Sequence, residues 1–242
     1  MKACVLHAIG DLRYEEVETP SPNQGEVLLK IHAAGICGSD VPRVFTKGTY
    51  HFPLIPGHEF AGEIVEIGRG VSKEYLGKRA SVFPLLPCKK CDMCEIGQYA
   101  LCRNYNYFGS RCDGGFAEYV AVPTWNLVIA DERISFEEMA MAEPAAVSLH
   151  ALNQAGVAFG DVIAVFGAGP IGLMLAEFAK AWGASKVILL DIDVKKLDFA
   201  LKLGFKYVIN CGQEGYTQEV MDITEGRGVD LCVEGSGASS AF

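Results

Sequence analysis

Four cysteines fall within eighteen residues in LLPCKKCDMCEIGQYALC (85–102), with gaps of two, two and seven. Cys88, Cys91, Cys94 and Cys102 can wrap one tetrahedral ion, because the short gaps let neighbouring thiolates converge and the longer arm closes the fourth corner. Four thiolates leave no open coordination position, so the spacing predicts a structural zinc rather than a catalytic one. A redox C-x-x-C pair would normally sit near a βαβ unit, and an iron–sulfur cluster would use similar ligands. Nothing else in the chain hints at electron transfer, and zinc is the expectation.

A second set is more dispersed. Cys37 and Ser39 stand in GICGSD, His58 and Glu59 in PGHEFAG, and Glu143 in AEPAAVSLHA. One thiolate, one imidazole and a carboxylate leave a fourth position for water or substrate, which is how a catalytic zinc is built. Taken singly, Cys37 reads equally as a core thiol, His58 as a satisfied turn residue and Glu143 as a charge beside Pro144 at a helix start.

A third feature is VIAVFGAGPIG, which holds Gly167, Gly169 and Gly172 in G-x-G-x-x-G spacing, with Asp191 ending the next apolar run. The first glycine permits a tight turn, the second a close approach of backbone to a pyrophosphate, and the third close packing of helix on strand. Pro170 and Ile171 open the helix, whose N-terminus supplies oriented N–H groups at little cost from the proline. The alternative reading is a βα turn that only needs room. The strand, helix, second strand and acidic terminus in register favour dinucleotide binding. A carboxylate at Asp191 accepts hydrogen bonds from ribose hydroxyls and repels a 2′-phosphate, so NAD is expected over NADP. Lys196 either adds a contact to that ribose or is a solvated helix lysine.

The elements that must position these groups change character along the chain. Residues 1 to about 130 carry short β-type runs, EVLLKIHAAG, EFAGEIVEIG, RASVFPLL and FAEYVAVP, separated by Gly and Pro. From about 135, SFEEMAMAEPAAVSLHALNQAG reads as helical and then strands and helices alternate. VIAVFG is a strand, and IGLMLAEFAKAWG a helix with Ile171, Met174, Leu175, Phe178 and Trp182 on one face. KVILLD is a second strand and DVKKLDFALKLG a second helix. KYVIN and VDLCVEG are third and fourth strands of a parallel sheet. With 242 residues, half of them hydrophobic, two domains are expected, 1–150 and 151–242.

Acidic residues outnumber basic ones by 30 to 21 and no Lys/Arg cluster stands out, so neither nucleic acid nor an anionic membrane is the expected partner. A small molecule fits better. The N-terminus has too short an apolar run for a secretory signal, and the uncharged stretch 162–176 is too short and too Gly/Pro-broken to span a bilayer. The expected compartment is the cytoplasm, where nine cysteines argue for metal or thiol chemistry over disulfides.

With CGSD, PGHEFAG, the four-cysteine lobe, GGFAEY, EPAAVSLHA and GAGPIG in this order, the chain resembles the zinc-dependent medium-chain dehydrogenase/reductase superfamily. CGSDVPRVF, PLLPC and GSRCDGGFAEY look most like the galactitol-1-phosphate 5-dehydrogenases and their polyol-dehydrogenase relatives, with sorbitol and threonine dehydrogenases further off. The resemblance implies an α/β architecture with a β-rich part: a GroES-like β-barrel catalytic domain, then a Rossmann doubly wound parallel sheet, incomplete because the chain ends after its fourth strand. It implies that Cys37, His58 and Glu143 hold a catalytic zinc, with Glu59 a neighbour through water or an alternating ligand, and that the cysteines of 88–102 hold a structural zinc. Ser39 would open a proton relay; some relatives continue it with a histidine, where this chain has Val41, Pro42 and Arg43.

The implied reaction moves a hydride from a secondary alcohol of a polyol or polyol phosphate to NAD. A sorbitol- or threonine-dehydrogenase-like enzyme is the alternative, as is a zinc-stabilised NAD-binding module without turnover. If the substrate carries a phosphate, Arg43, Lys47 and Arg111 are candidates to receive it from loops near the motifs, ordinary surface charge being the other reading. A homo-oligomer is implied for the full-length protein.

Overall fold

The computed structural model describes residues 1–238, which divide into two compact units, Met1–Glu143 and the chain from Pro144 on. The expected boundary at 150/151 falls inside the helix Ala142–Ala155. That helix buries Ser148 and Leu152, and Leu152 joins the core of the second unit, so the division falls in the helix's first turn, between Glu143 and Pro144.

In the first unit, β1 (Lys2–Ala8) and β2 (Asp11–Glu16) form an antiparallel hairpin. β3 (Glu26–Gly35) and β4 (Glu59–Ile67) are the centre of a five-stranded antiparallel sheet with β5 (Arg79–Val82), β8 (Tyr119–Pro123) and β9 (Leu127–Ile129), in the order β8-β3-β4-β5-β9. Val27, Leu29, Phe60, Ile64, Val82, Val120 and Val122 fill its core. RASVFPLL is not one strand: after β5 the chain turns at Phe83 and Pro84, and Leu85–Leu86 becomes β6, paired with β7 (Asn106–Tyr107). This two-stranded clasp closes the base of the cysteine lobe.

Two register shifts bend the β3–β4 pair, one at Leu28/Leu29 and one at Ile31/Ala33. The second leaves His32 unpaired across the ladder, where its ring stacks on Phe136 at 4.3 Å. Beyond it, Gly35 faces Glu59, so the end of β3 and the start of β4 deliver the CGSD and PGHEF segments to one place. The helical reading of 135–156 resolves into two helices. Phe136–Ala140 starts from a capping box of Ser135 and Glu138, and Ala142–Ala155 comes after Met141.

The second unit has a parallel sheet of β10 (Val162–Phe166), β11 (Lys186–Asp191), β12 (Tyr207–Asn210) and β13 (Leu231–Glu234), in the order β12-β11-β10-β13. This is the 3-2-1-4 order of a doubly wound sheet. Successive residues of β10 enter opposite cores: Ile163 and Val165 pack with Leu175, Val187 and Leu189, whereas Val162 and Ala164 pack with Ile188, Leu190 and Ile209. Burial on both faces explains the uninterrupted apolar runs. The helix Tyr216–Ile223 follows β12 in the chain and precedes β13, and it packs Tyr216, Val220 and Ile223, four and three residues apart, against the Val162, Ile188 and Leu190 core.

The helix Pro170–Ala181 buries Leu175 of the expected stripe, and Gly172, Ala176 and Ala179 complete the buried face. Trp182 is 45 % exposed, and Ile171 and Phe178 only flank the core. Small residues let the helix axis approach the sheet closely. Among the described residues no helix is long and apolar enough to cross a membrane.

Candidate metal and dinucleotide sites

Cys37, two residues beyond β3, and His58 and Glu59, at the start of β4, offer ligand atoms that all lie within 4.8 Å of one another. Glycines on four sides make this possible. Gly57 adopts φ +92°, and a Cβ there would lie 2.5 Å from the Phe116 ring. Gly109 and Gly114 stack directly on the Gly57 backbone, where any Cβ would come within 2.5 and 2.0 Å of its carbonyl oxygen. Gly35 clears the Glu59 carboxylate, which a Cβ would meet at 2.3 Å.

Asp40 organises the cluster. It is 2 % exposed; its Oδ2 accepts the Cys37 N–H at 3.0 Å, while Oδ1 pairs with Arg43 Nη1 at 2.5 Å and faces His58 Nδ1 at 3.5 Å. His58 Nδ1 is buried with no hydrogen-bond partner. Burial pulls the His58 pKa down, but Asp40 and Cys37 outweigh it and push it up to about 10. In turn His58 draws the Cys37 thiol below its ordinary range. Burial raises Glu59 against the opposing pull of Cys37 and His58. A soft thiolate, an imidazole and a hard carboxylate converging at this spacing fit a zinc ion.

Glu143 stands apart from that trio. Its Oε1 accepts a hydrogen bond from the Tyr107 hydroxyl at 3.1 Å, although its charge still reaches Glu59 and helps raise it. Tyr107 also lies edge-on to His58 at 5.8 Å, and burial, with the Glu143 charge as the next cause, pushes its hydroxyl above the ordinary tyrosine value. Ser39 is exposed, and its hydroxyl makes no cap hydrogen bond to the short helix Asp40–Pro42. Reading the sequence for ligand types and spacing misses both Asp40 and Tyr107. Asp40 lies within the CGSD motif, three residues from Cys37, but no spacing rule points to Tyr107.

The second cluster is the lobe. Cys88, Cys91, Cys94 and Cys102 converge within the same 4.8 Å limit. Cys88 and Cys94 Sγ are 4.0 Å apart, as are Cys91 and Cys102 Sγ. A tetrahedron with metal–sulfur bonds of about 2.3 Å has edges of about 3.8 Å, so the four thiols fit zinc almost without movement. N–H groups of Arg103 and Cys94 push the Cys91 thiol down to about 6, whereas burial pushes Cys94 up to about 12. Arg103 and Asp92 close the lobe with a bidentate pair at 2.6 Å for both bonds. All nine cysteines are free thiols.

The glycine turn sits between β10 and the helix Pro170–Ala181. Gly167, at φ +100°, would set a Cβ 2.8 Å from the Ser236 nitrogen, and at Gly172 it would fall 1.7 Å from the Gly167 carbonyl oxygen. Gly169 differs: a Cβ there meets nothing within 4 Å. Open space beside an uncapped helix start, with Pro170 at its first turn, fits a pyrophosphate. At the end of β11, Asp191 accepts N–H groups from Ala168 at 2.7 Å and Asp193 at 2.9 Å, with Lys196 Nζ at 3.7 Å. Burial opposes ionisation there, but these N–H groups and Lys196 win and lower its pKa.

The three candidate phosphate receivers separate. Arg43 is not a loop residue; it opens a helical turn, Arg43–Lys47, and its guanidinium is committed to Asp40 with a side chain only 16 % exposed. Its guanidinium is thus engaged with Asp40 instead of standing free in a loop as expected. Lys47 is exposed. The Arg111 guanidinium lies between the rings of Tyr50 and Tyr105, at 4.0 and 4.4 Å. A cavity of about 610 Å³ in this unit, walled by Val5, Leu54, Ile55, Phe108 and Val120, includes none of the Cys37, His58 and Glu59 ligands. Its apolar walls mark it as a separate feature.

Residues 23–132 match the alcohol dehydrogenase GroES-like domain family, and residues 170–242 the zinc-binding dehydrogenase family. The chain is 36 % identical to a sorbitol dehydrogenase of Bacillus subtilis, over all of this chain and 70 % of that protein. It is 41 % identical to an L-threonine 3-dehydrogenase of Pyrococcus horikoshii, over 94 % of this chain and 66 % of that protein. Among solved structures, galactitol-1-phosphate dehydrogenase from Escherichia coli superposes with a TM-score of 0.90 at 37 % identity, covering 98 % of this chain and 69 % of that one. The chain thus spans about two thirds of the length of such relatives.

Proposed function

The chain belongs to the zinc-dependent medium-chain dehydrogenases, and from that premise we propose that it serves the NAD-dependent oxidation of a secondary alcohol in a polyol or polyol phosphate. The observation that carries this reading is the convergence of Cys37, His58 and Glu59 on one point, with Asp40 behind the imidazole.

Cys37 and His58 would hold the catalytic zinc, with Glu59 as a third ligand and Glu143 held in reserve by Tyr107. Cys88, Cys91, Cys94 and Cys102 would hold a second, structural zinc. Gly167, Gly169, Pro170, Ile171 and Gly172 would cradle the NAD pyrophosphate, and Asp191, with Lys196, the adenosine ribose. Bound there, zinc would supply a Lewis acid that lowers the pKa of the substrate hydroxyl, and NAD would supply the hydride acceptor that leaves a ketone as product.

The chain's own residues then have separable tasks. Ser39, exposed and free of cap duty, takes the proton leaving the substrate hydroxyl and passes it to solvent. Asp40 fixes the ring plane of His58 and the backbone of Cys37. Arg43 neutralises Asp40 so that the buried carboxylate does not add a further charge to the centre. Asp191 selects against a 2′-phosphate by charge.

The mixed names of the relatives support the class and leave the substrate among polyols, their phosphates and threonine. Metal analysis combined with NADH absorbance over sugar alcohols, sugar-alcohol phosphates and threonine tests the reading. Two zinc ions per chain, with turnover lost in Cys37→Ser, is the expected outcome. One zinc, or turnover indifferent to Cys37, would overturn it.

A further inference from the structure

Eight arginines occur in the sequence, and seven have a hydrogen-bonded partner. Arg13, Arg43, Arg103, Arg133 and Arg227 pair with aspartates, Arg69 donates to Gln24, and Arg79 donates to the Glu132 carbonyl. Arg111 alone, among the described residues, has no carboxylate, amide or carbonyl partner for its guanidinium, whose side-chain neighbours are Tyr50 and Tyr105. Its Nε is buried and unpartnered. It is nevertheless rigidly placed, with its guanidinium carbon 4.0 Å from the Tyr50 ring centre and 4.4 Å from that of Tyr105.

An arginine with no carboxylate partner, packed on two aromatic rings, is a fork whose plane is fixed before any ligand arrives. Stacking removes rotamer freedom while leaving the terminal N–H groups in the ring-free plane, where a bidentate oxyanion belongs. The flanking segments are tied down as well. Thr49 Oγ1 donates to the Ser110 carbonyl at 2.7 Å, and the His51 imidazole lies between the carbonyl oxygens of Pro53, at 3.1 Å, and Arg111, at 3.3 Å. The nearby carboxylate, Asp113, is turned away to accept the Ile55 N–H at 2.9 Å.

This fork is connected to the metal-ligand cluster by one short turn. The Arg111 N–H donates to the Tyr107 carbonyl at 2.9 Å, the Tyr107 hydroxyl donates to Glu143, and the Tyr107 ring lies edge-on to His58. Four residues of chain cannot separate the two Cα atoms by more than about 14 Å, and the hydrogen-bonded turn holds them closer. A six-carbon polyol phosphate is long enough to place a secondary alcohol at one end of such a span and its phosphate at the other.

We infer that Arg111 is the anion receptor of the substrate: its guanidinium, clamped by Tyr50 and Tyr105, receives the phosphate monoester of a polyol phosphate. This deepens the dehydrogenase reading and rests on it for the identity of the substrate's other end. Lys47 adds only screened attraction from an exposed position.

Isothermal titration of inorganic phosphate and of galactitol 1-phosphate into the zinc-loaded chain tests the assignment without requiring turnover. Both should bind saturably at one site, and Arg111→Gln should weaken both by roughly 10-fold or more, the worth of a charge-assisted bidentate contact. Arg111→Lys should recover part of the loss, because it keeps the charge and forfeits the fork. Tyr50→Leu, which strips one face of the clamp and leaves the charge, should also weaken phosphate binding. Matching melting curves establish that each variant is folded.

Phosphate binding unchanged in Arg111→Gln, or absent in the parent, would overturn the inference. So would acetate binding as tightly as phosphate, which would point to a carboxylate-bearing substrate. Oxidation of unphosphorylated galactitol by the parent chain, monitored by NADH absorbance, reads the dehydrogenase premise separately. Failure of the dehydrogenase reading would show there, as no turnover with any alcohol, while phosphate binding persisted.

Discussion

Replacing Asp40 by Asn removes one charge with almost no change in volume, and the three contacts of the carboxylate determine the cost. The aspartate uses Oδ2 for the Cys37 N–H and Oδ1 for both Arg43 and His58. An asparagine has one acceptor oxygen, so its amide must face either the Cys37 N–H or the Arg43/His58 pair with a donor against donors. The outer partner of a metal-bound histidine is worth roughly 10- to 100-fold in metal affinity, or about 1.4 to 2.7 kcal/mol. A separate cost arises at Arg43, whose largely buried guanidinium loses its counter-charge, at about 3 kcal/mol of fold stability. The double variant Asp40→Asn/Arg43→Gln should recover most of the stability and none of the zinc affinity. Competition for zinc against a chromophoric chelator reads both sites, and the cysteine lobe, remote from Asp40 in sequence and contact, is the internal control. A folded Asp40→Asn chain that held zinc at the Cys37 centre within roughly 3-fold of the parent would refute the role given to Asp40.

Four further outcomes are expected. Cys94→Ser should lower the melting temperature by several degrees and reduce zinc content by one ion, while leaving NAD binding in place, because it opens the closed four-thiolate site. Gly57→Ala should destabilise the first unit by more than about 2 kcal/mol in chemical denaturation, since strain at φ +92° adds to the collision with Phe116. Asp191→Ser should raise affinity for NADP relative to NAD by at least roughly 10-fold in fluorescence titration, because the repulsion of a 2′-phosphate disappears. In chain stripped of metal, His58, raised from 6.5 to about 10, contributes stability that is complete below pH 6.5 and is lost as pH rises through about 10. Cys37, lowered from 9.0, works in the opposite sense below pH 9 and is spent above it, so denaturation should show net weakening as pH rises from 9 to 10, where the His58 contribution is lost without that offset.

Most elements of the fold are legible because they carry their own local signal. EVLLKIHAAG is β3 to the residue, and KVILLD is β11. Where the reading fails, the causes are identifiable. RASVFPLL reads as a single strand by propensity, but Pro84 cannot extend the ladder and the chain turns there. Periodicity gives the helix after the glycine turn a stripe of large residues, of which Leu175 is buried and Ile171 and Phe178 pack at the core's edge, whereas Gly172, Ala176 and Ala179 complete the buried face; close packing there selects small size, which a hydrophobicity pattern undervalues. At the site, cysteine spacing in 88–102 is short-range and readable. Tyr107 is not, because its contact with Glu143 spans thirty-six positions and depends on how two distant segments meet.

That meeting is a backbone event. The carbonyl of Gly57 accepts the N–H of Gly115, and Gly109 and Gly114 lie against the same peptide with no room for a side chain. The residue after Gly57 is His58, and the turn that Gly109 enters carries Tyr107 at one end and Arg111 at the other. A single glycine contact therefore sets the distance between a metal ligand, the tyrosine that restrains Glu143, and the clamped guanidinium. In sequence these glycines look like ordinary loop punctuation. Their physical role is to weld the segment GSRCDGG to PGHEF, so that the group receiving the far end of a substrate is built on the same rigid joint as the group beside its reacting end. Chemistry and selectivity would then respond together to any change at this joint, even one that touches neither a ligand nor a charge.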